Sequence, residues 1–537
     1  MPKRYQSPEE ASSSALQPAT ALRRALRHGY TGKDLRADIL AGIVVGIVAL
    51  PLSMALAVAS GVAPQHGLYT AIVAGAVVAA LGGSMVQVSG PTAAFVVLLA
   101  PIAAKYGVGG LVTATVLAGI ILMLMGVLRL GGLIQFVPYP VTTGFTAGIA
   151  VVIATLQLKD FFGLTVTKMP EHYLERVAAL ARALPTLRWQ DLSVGVLTLA
   201  LLLLWPRLTR KVPAPLVALA IAGVVAAVLT HFVPGFTVAT IRSRFSYELG
   251  GQIFQGIPQL PPLPVLPWHL PGGDGKPLGL SLNLLRELTP PAFAIAMLGA
   301  IESLLSAVVA DGMTGGSHDP DAELLAQGTG NIIAPFFGGI AATGAIARTA
   351  TSIRSGAKSP IAAIVHSLFV LLSVLALAPV LGYLPMASLA ALLLIVAWNM
   401  SEAKHFLHAL RVAPRSDVLV YEVAGPLFFG AAQKAMSALH RTPTGIAVVL
   451  LDLSAVPAMD ATGMVSLEAA VERLQALGVF VVLAGVQSQP MRVLARSGIH
   501  RRREGEKKIT VFRSMDRAVA AARKKSRVGG VGIDPGG

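Results

Sequence analysis

Between residues 39 and 400 the chain carries twelve apolar stretches, most of them near the ~20 residues a helix needs to cross the hydrocarbon of a bilayer. They cover 39–59, 63–81, 90–104, 111–130, 134–158, 192–204 and 212–232, and then, after a Pro-, Gly- and aromatic-rich loop at 233–289, 290–310, 324–340, 343–353, 360–381 and 385–400. Single water-soluble cores stop growing beyond about 250–300 residues, so this much apolar surface has to face lipid. Charged residues make up 13% of the 537, against about 25% in an average soluble domain. The pattern predicts a polytopic α-helical membrane protein.

A net charge of +16 would suit nucleic acid, but its distribution points to lipid and excludes a nucleic-acid partner. Residues 1–36 hold seven Lys or Arg against three acids, and residues 401–537 hold nineteen against eleven. Basic flanks mark the cytoplasmic side of a membrane protein. Twelve crossings then put both termini in the cytoplasm, with Arg207, Arg210, Lys211, Arg354, Lys358, Lys404, Arg411 and Arg415 on that side. The outer stretch 159–188 carries five basic residues as well, and reads as an amphipathic surface helix. Residues 1–36 form a cytosolic segment whose polar first thirty residues hold no cleavable leader. Residues 37–235 and 290–416 form two membrane repeats around an extracytoplasmic loop at 236–289. Cysteine is absent, which excludes disulfides, thiolate metal sites and a cysteine nucleophile.

After Ser416 the composition changes. Strands at 418–424, 447–453 and 479–484 alternate with helices at 431–439, 462–477 and 513–523. Residues 417–525 therefore read as a small cytosolic α/β domain with a largely parallel sheet, followed by a flexible tail at 526–537.

Two elements, the third of each membrane block, depart from an ordinary span. Residues 86–95 read VQVSGPTAAF and residues 338–348 read GGIAATGAIAR, each passing from flexible glycine into a short helix. Interrupted helices at matching places in two halves point to a transporter's substrate site, although glycines there would also suit close helix packing. Helix N-termini carry partial positive charge and free N–H groups. Ser89, Gly90, Thr92, Thr343, Gly344 and Ala345 would add donors and close backbone approach. Arg348 contributes a planar, permanently charged fork suited to carboxylate; the alternative is that it snorkels to the cytoplasmic face.

Glu302 is the acid well inside an apolar run, where ionisable groups serve by default as proton relays or cation ligands. Ser306 follows one turn later on the same face. The bland alternative is a structural acid paired to a basic neighbour. These residues suit a small anionic substrate and a proton as coupling ion, with no cofactor and no metal. No His-Glu-x-x-His, Gly-x-x-x-x-Gly-Lys or Gly-x-Ser-x-Gly motif occurs, so the chain does not read as an enzyme.

The motifs PQHGLYTA (64–71), SGPT (89–92), ESLLS (302–306) and GAIART (344–349) resemble the sulfate permease (SulP) family of anion transporters. DLSAVPAMDATG (452–463) resembles that family's cytosolic STAS domain, a fold shared with anti-sigma-factor antagonists. The resemblance runs from about residue 33 to 525. It is greatest toward the bacterial C4-dicarboxylate (DauA-type) branch, through KDFFG (159–163), PEHYL (170–174), AMLGAIE (296–302) and NIIAPFFGG (331–339). It implies a core and a gate domain built from inverted repeats, an elevator motion, and a homodimer in a bacterial inner membrane. It also implies that Thr92 and Arg348 contact substrate, and that Glu302 and Ser306 serve cation coupling. Glu where sodium-coupled members carry Asp favours a proton over sodium. Leu52 stands where polar-substrate relatives often have Gln, which suits a hydrocarbon spine in the substrate.

The family carries fourteen membrane elements and this chain reads as twelve, because residues 415–420 pass straight into the first STAS strand. Two gate helices are missing by that reading. The expected function is proton-coupled uptake of C4-dicarboxylates such as succinate, fumarate or aspartate. Sulfate or bicarbonate is the alternative cargo. A reading of another class is a transport-inactive sensor or scaffold that signals through the STAS domain to a cytosolic partner. There, Thr462 stands where antagonist proteins carry a phosphorylatable Ser, close to Asp460, although helix capping by the pair is the plainer account. The basic residues at 501–503, 507 and 508 would meet anionic headgroups or solvent.

Overall fold

The computed structural model describes residues 19–27, 29–132, 139–166, 170, 173–209, 212–249, 251–401, 418–423, 425, 427, 448–497, 510–512, 515, 517, 518 and 521. Its contacts divide the chain into two compact units, Met1–Glu402 and Ala403–Gly537.

In the first unit α1 (Thr20–Arg27) precedes α2 (Gly32–Ala59), which Thr31 opens with a reciprocal capping box to Asp34. α3 (Pro64–Leu81) starts on a proline whose missing N–H costs nothing in a first turn. β1 (Ser89–Gly90) leads into α4 (Ala93–Val127), which breaks at Gly107, where φ is 66° and ψ −170°. Only glycine takes up such a backbone without strain, so α4 is two helical pieces. Then come α5 (Tyr139–Phe161), α6 (Tyr173–Ala183), α7 (Trp189–Leu208) and α8 (Ala214–Phe232). α9 (Ile241–Arg244) and the hairpin of β2 (Ser246–Leu249) with β3 (Gln252–Gln255) follow. The second block holds α10 (Leu282–Thr314), α11 (Pro320–Ile333), β4 (Thr343–Gly344), α12 (Ile346–Arg354), α13 (Ile361–Leu381) and α14 (Met386–Met400).

With α4 counted as two, these elements, leaving out α1, α6 and α9, supply the expected seven before the long connection and five after it among the described residues. α2, α3, α4, α7, α8, α10 and α13 are long and apolar enough to cross a membrane, by length and composition. Residues 401–417 separate α14 from the next strand, too few for two more spans of ~20 residues each. Small residues bring the helices close. A Cβ added to Gly328 of α11 would lie 2.8 Å from the Gly119 carbonyl oxygen of α4, and one on Gly119 would lie 2.8 Å from that of Gly328.

Some boundaries differ from expectation. α10 begins at Leu282 rather than 290 and runs through Pro290 and Pro291, because the Ser281 hydroxyl caps the earlier start by accepting from the Leu284 N–H. α11 starts behind the Asp319 cap and ends at Ile333, where Pro335 opens a separate 3-10 turn. Within 159–188 the first residues finish α5, and the surface helix is α6, with Arg176, Leu180 and Ala183 buried. The stretch 233–289 holds α9, the hairpin and the start of α10 as well as irregular chain.

In the second unit β5 (Val418–Glu422), β6 (Val448–Asp452), β7 (Phe480–Ala484) and β8 (Thr510–Phe512) form one parallel sheet in that order. α15 (Ala461–Ala476) joins β6 to β7, and α16 (Ser488–Ser497), not expected from sequence, follows β7. Val449, Leu451, Val481 and Leu483 belong to one buried cluster and Val448, Leu450 and Val482 to another, so both faces are covered, as a parallel sheet requires. The helices expected at 431–439 and 513–523 lie wholly or mostly outside the described residues.

Candidate functional site

β1 and β4 meet antiparallel, Ser89 opposite Gly344 and Gly90 opposite Thr343. Each strand is two residues long and buried, and each runs into a helix start, at Thr92 for α4 and Ala345 for α12. The Ala345 N–H donates to the Val88 carbonyl at 2.9 Å, which ties the two crossings together. The interrupted elements of the two blocks, far apart in sequence, therefore share one place.

Arg348 lies in the first turn of α12 and is 2% exposed, which overturns the snorkelling alternative. Its Nη2 donates to the Pro91 carbonyl at 2.5 Å, while Nε and Nη1 have no partner among the described residues. Gly90, with φ at 154°, lies directly over the guanidinium: a Cβ there would fall 2.6 Å from Nη1. The Thr92 hydroxyl makes no helix cap and donates to Glu302 Oε2 at 2.9 Å. Among the described residues neither Glu302 nor Arg348 forms an ion pair within 4.0 Å.

The other expected residues build the frame. Ser306 is buried and bonds the Thr349 hydroxyl at 3.1 Å, which in turn accepts from the Val88 N–H at 3.1 Å. Thr343 donates to the Gly299 carbonyl at 2.8 Å, and Ser89 accepts from Gln327 Nε2 at 2.7 Å. Gly344 packs against the Gln87 side chain, with Ser303 Cα 3.1 Å from where its Cβ would be. Hydroxyls at 89, 306 and 343 are thus engaged in the scaffold. Of the expected residues whose side chains are described, Arg348 alone has buried side-chain nitrogens or oxygens without a hydrogen-bond partner.

Sequence reasoning missed Glu323, Gln327 and Asn331 on α11, whose spacing of four residues was the available signal, along with Gln87 and Ser303. It also missed Asp38, fully buried in α2, which accepts from the Lys358 N–H (2.6 Å), the Ser359 N–H (3.2 Å), the Ser359 hydroxyl (2.5 Å) and the Tyr30 hydroxyl (2.7 Å). Burial and the hydrogen bond to Asp38 push the Tyr30 phenol up to about 12. In the second unit Asp460 caps α15, its Oδ1 accepting from the Gly463 N–H at 2.6 Å. The Thr462 side chain and the basic residues at 501–503, 507 and 508 lie outside the described residues.

A model of the sulfate permease family matches residues 35–424, and a STAS domain model matches residues 409–518. The chain belongs to the sulfate permease family. The putative sulfate transporter YvdB of Bacillus subtilis is 37% identical to it, over 82% of this chain and 89% of the relative. The bicarbonate transporter BicA of Synechocystis sp. is 25% identical, over 81% and 85%. The solved transmembrane domain of a cyanobacterium bicarbonate transporter BicA aligns with a TM-score of 0.61 at 25% identity, covering 70% of this chain and 91% of that one. SLC26A9 aligns with a TM-score of 0.61 at 18% identity over 97% and 94%, a likeness of fold. The chain is a multi-pass membrane protein with a helical SulP core and a C-terminal STAS domain, and these relatives are named as transporters rather than enzymes.

Proposed function

We propose that this chain is a proton-coupled secondary carrier of small anions, working by elevator-type alternating access as a homodimer in a bacterial inner membrane, with both termini cytoplasmic. The observation that carries the reading is Arg348: a buried guanidinium with two unpartnered nitrogens, beside two helix starts and the Thr92–Glu302 pair. Buried donors without partners cost free energy that an anion would recover, and a guanidinium fork takes two carboxylate oxygens at once. An ionised Glu302 repels an anion held here, whereas a protonated one does not. Anion and proton therefore favour each other's binding, and reciprocal coupling makes them travel together. Sodium at Glu302 and Ser306 is the weaker alternative, because the Ser306 hydroxyl is already engaged with Thr349.

C4-dicarboxylates are the first cargo to test, supported by Leu52 and by the motifs shared with the DauA-type branch. The names of YvdB and BicA support sulfate or bicarbonate instead. Uptake of labelled succinate into proteoliposomes, challenged with fumarate, sulfate and bicarbonate, separates them. Competition by fumarate alone supports a dicarboxylate site, and flux of labelled sulfate or bicarbonate without succinate supports the inorganic cargo. No flux of any of the three, from folded and inserted protein, refutes transport. It would leave a sensor signalling through the STAS domain to a cytosolic partner, a reading favoured by the short 401–417 connection.

A further inference from the structure

α11 places Glu323, Gln327 and Asn331 at intervals of four residues, on one face of the helix. All three are buried and all three reach the crossing strands or the chain just before them. Glu323, 1% exposed, accepts four hydrogen bonds. Its Oε1 takes Gln87 Nε2 (2.9 Å), the Ser303 hydroxyl (3.1 Å) and Gln327 Nε2 (3.2 Å), and its Oε2 takes the Gly83 N–H (3.1 Å). The same Gln327 amide donates to Ser89 in β1. Asn331 Nδ2 donates to the Ala342 carbonyl (2.9 Å) and its Oδ1 accepts from the Ala342 N–H (2.8 Å), immediately before β4. One helix face therefore fixes both halves of the crossing.

We infer that Glu323 is a fixed carboxylate and a positioning residue, which holds the β1–β4 crossing in register through Gln87 and Gln327 and carries no transported proton. Three of the four partners, the Gly83 N–H and the Gln87 and Gln327 amide nitrogens, can only donate, and a protonated carboxyl would have to turn its O–H to the Ser303 hydroxyl, which already accepts from Gln87 Nε2 at 2.8 Å. Four charge-assisted hydrogen bonds are what a buried carboxylate needs in place of water. Glu302 is built the other way: among the described residues it has a single side-chain donor, Thr92, beside the unmet nitrogens of Arg348. The two acids have separate jobs. Glu302 is placed to exchange a proton as the anion comes and goes, and Glu323 is placed to keep the frame from moving while that happens. The inference rests on the crossing being the anion site.

Glu323→Gln tests it, because a glutamine imitates a protonated carboxyl but turns an NH2 group toward a cluster of donors. Succinate or sulfate uptake, whichever the wild type carries, would be measured in proteoliposomes with and without an inward proton gradient. The expected result is a KM raised on the order of ten-fold by displacement of the binding groups, with the fold-stimulation by the gradient retained. A wild-type KM would show that the carboxylate is dispensable, and lost stimulation at an unchanged KM would make Glu323 the proton carrier; either overturns the inference. Should Glu323→Gln fail to fold, Gln327→Met removes the link to Ser89 while leaving the acid, and an unchanged KM there overturns it equally. If the wild type carries no anion, infrared difference spectra of wild type minus Glu323→Gln, or minus Glu323→Asp, still decide. Loss of a carboxylate band supports the inference, and loss of the carbonyl band of a protonated acid refutes it.

Discussion

Gly90→Ala probes the close approach of the backbone to the Arg348 guanidinium. The added methyl would stand 2.6 Å from Arg348 Nη1 and 3.4 Å from Cζ and Nη2. Ordinary contact between heavy atoms is about 3.5 Å, so the guanidinium has to retreat by roughly 0.9 Å. It is 2% exposed and cannot swing into solvent. Retreat strains or breaks the bond from Nη2 to the Pro91 carbonyl, and a hydrogen bond to a charged group contributes about 1.5–3 kcal/mol. A φ of 154° adds backbone strain of about 1–3 kcal/mol for any residue with a Cβ. A displacement near 1 Å in a binding group is worth up to about 100-fold in rate. Initial uptake rates in proteoliposomes should therefore show kcat/KM down by about 10- to 100-fold. Gly148→Ala, where nothing lies within 4 Å of the new methyl, should transport as wild type. A folded Gly90→Ala protein with wild-type kinetics would refute the reasoning, because it would mean that Arg348 is not held beneath Gly90 when the anion binds.

Arg348→Lys keeps the charge but loses the planar fork, and should raise KM about ten-fold or more without abolishing insertion, as read by uptake at graded substrate. Asp38→Ala leaves the Lys358, Ser359 and Tyr30 donors without their acceptor. At about 1–3 kcal/mol for each buried orphan, the detergent-solubilised protein should lose roughly 3 kcal/mol or more, seen as a fall in Tm. Asp460→Ala should cost about 1 kcal/mol as the loss of an N-cap, speed hydrogen exchange in the first turn of α15 several-fold, and leave uptake unchanged.

The spans and the two interrupted elements were legible because apolar runs and glycine-rich breaks are local signals. SGPT at 89–92 and TGAIAR at 343–348 announce themselves against hydrophobic surroundings. Their antiparallel pairing was not legible: two residues of strand leave no period to read, and the register depends on chain folded between residues 90 and 343. Glu323 was passed over because it follows Asp319 and Asp321 and looks like the end of a polar loop, whereas α11 begins at Pro320 and buries it. Gly107 shows the same limit at smaller scale. The sequence reading leaves a gap at 105–110, but the break needs a single residue with positive φ. α16 was missed because its short, polar SQPMRVLARS sequence carries a proline and little apolar periodicity.

The central claim is that Glu302 couples anion movement to a proton. The most direct measurement is uptake of labelled anion into proteoliposomes, with and without an inward proton gradient, for wild type and Glu302→Gln side by side. Counterflow exchange at equal pH would be run on both as the control for folded protein. The account predicts gradient-stimulated uptake in the wild type, and in Glu302→Gln a preserved exchange with no stimulation at all. Gradient stimulation that survives in Glu302→Gln would contradict it.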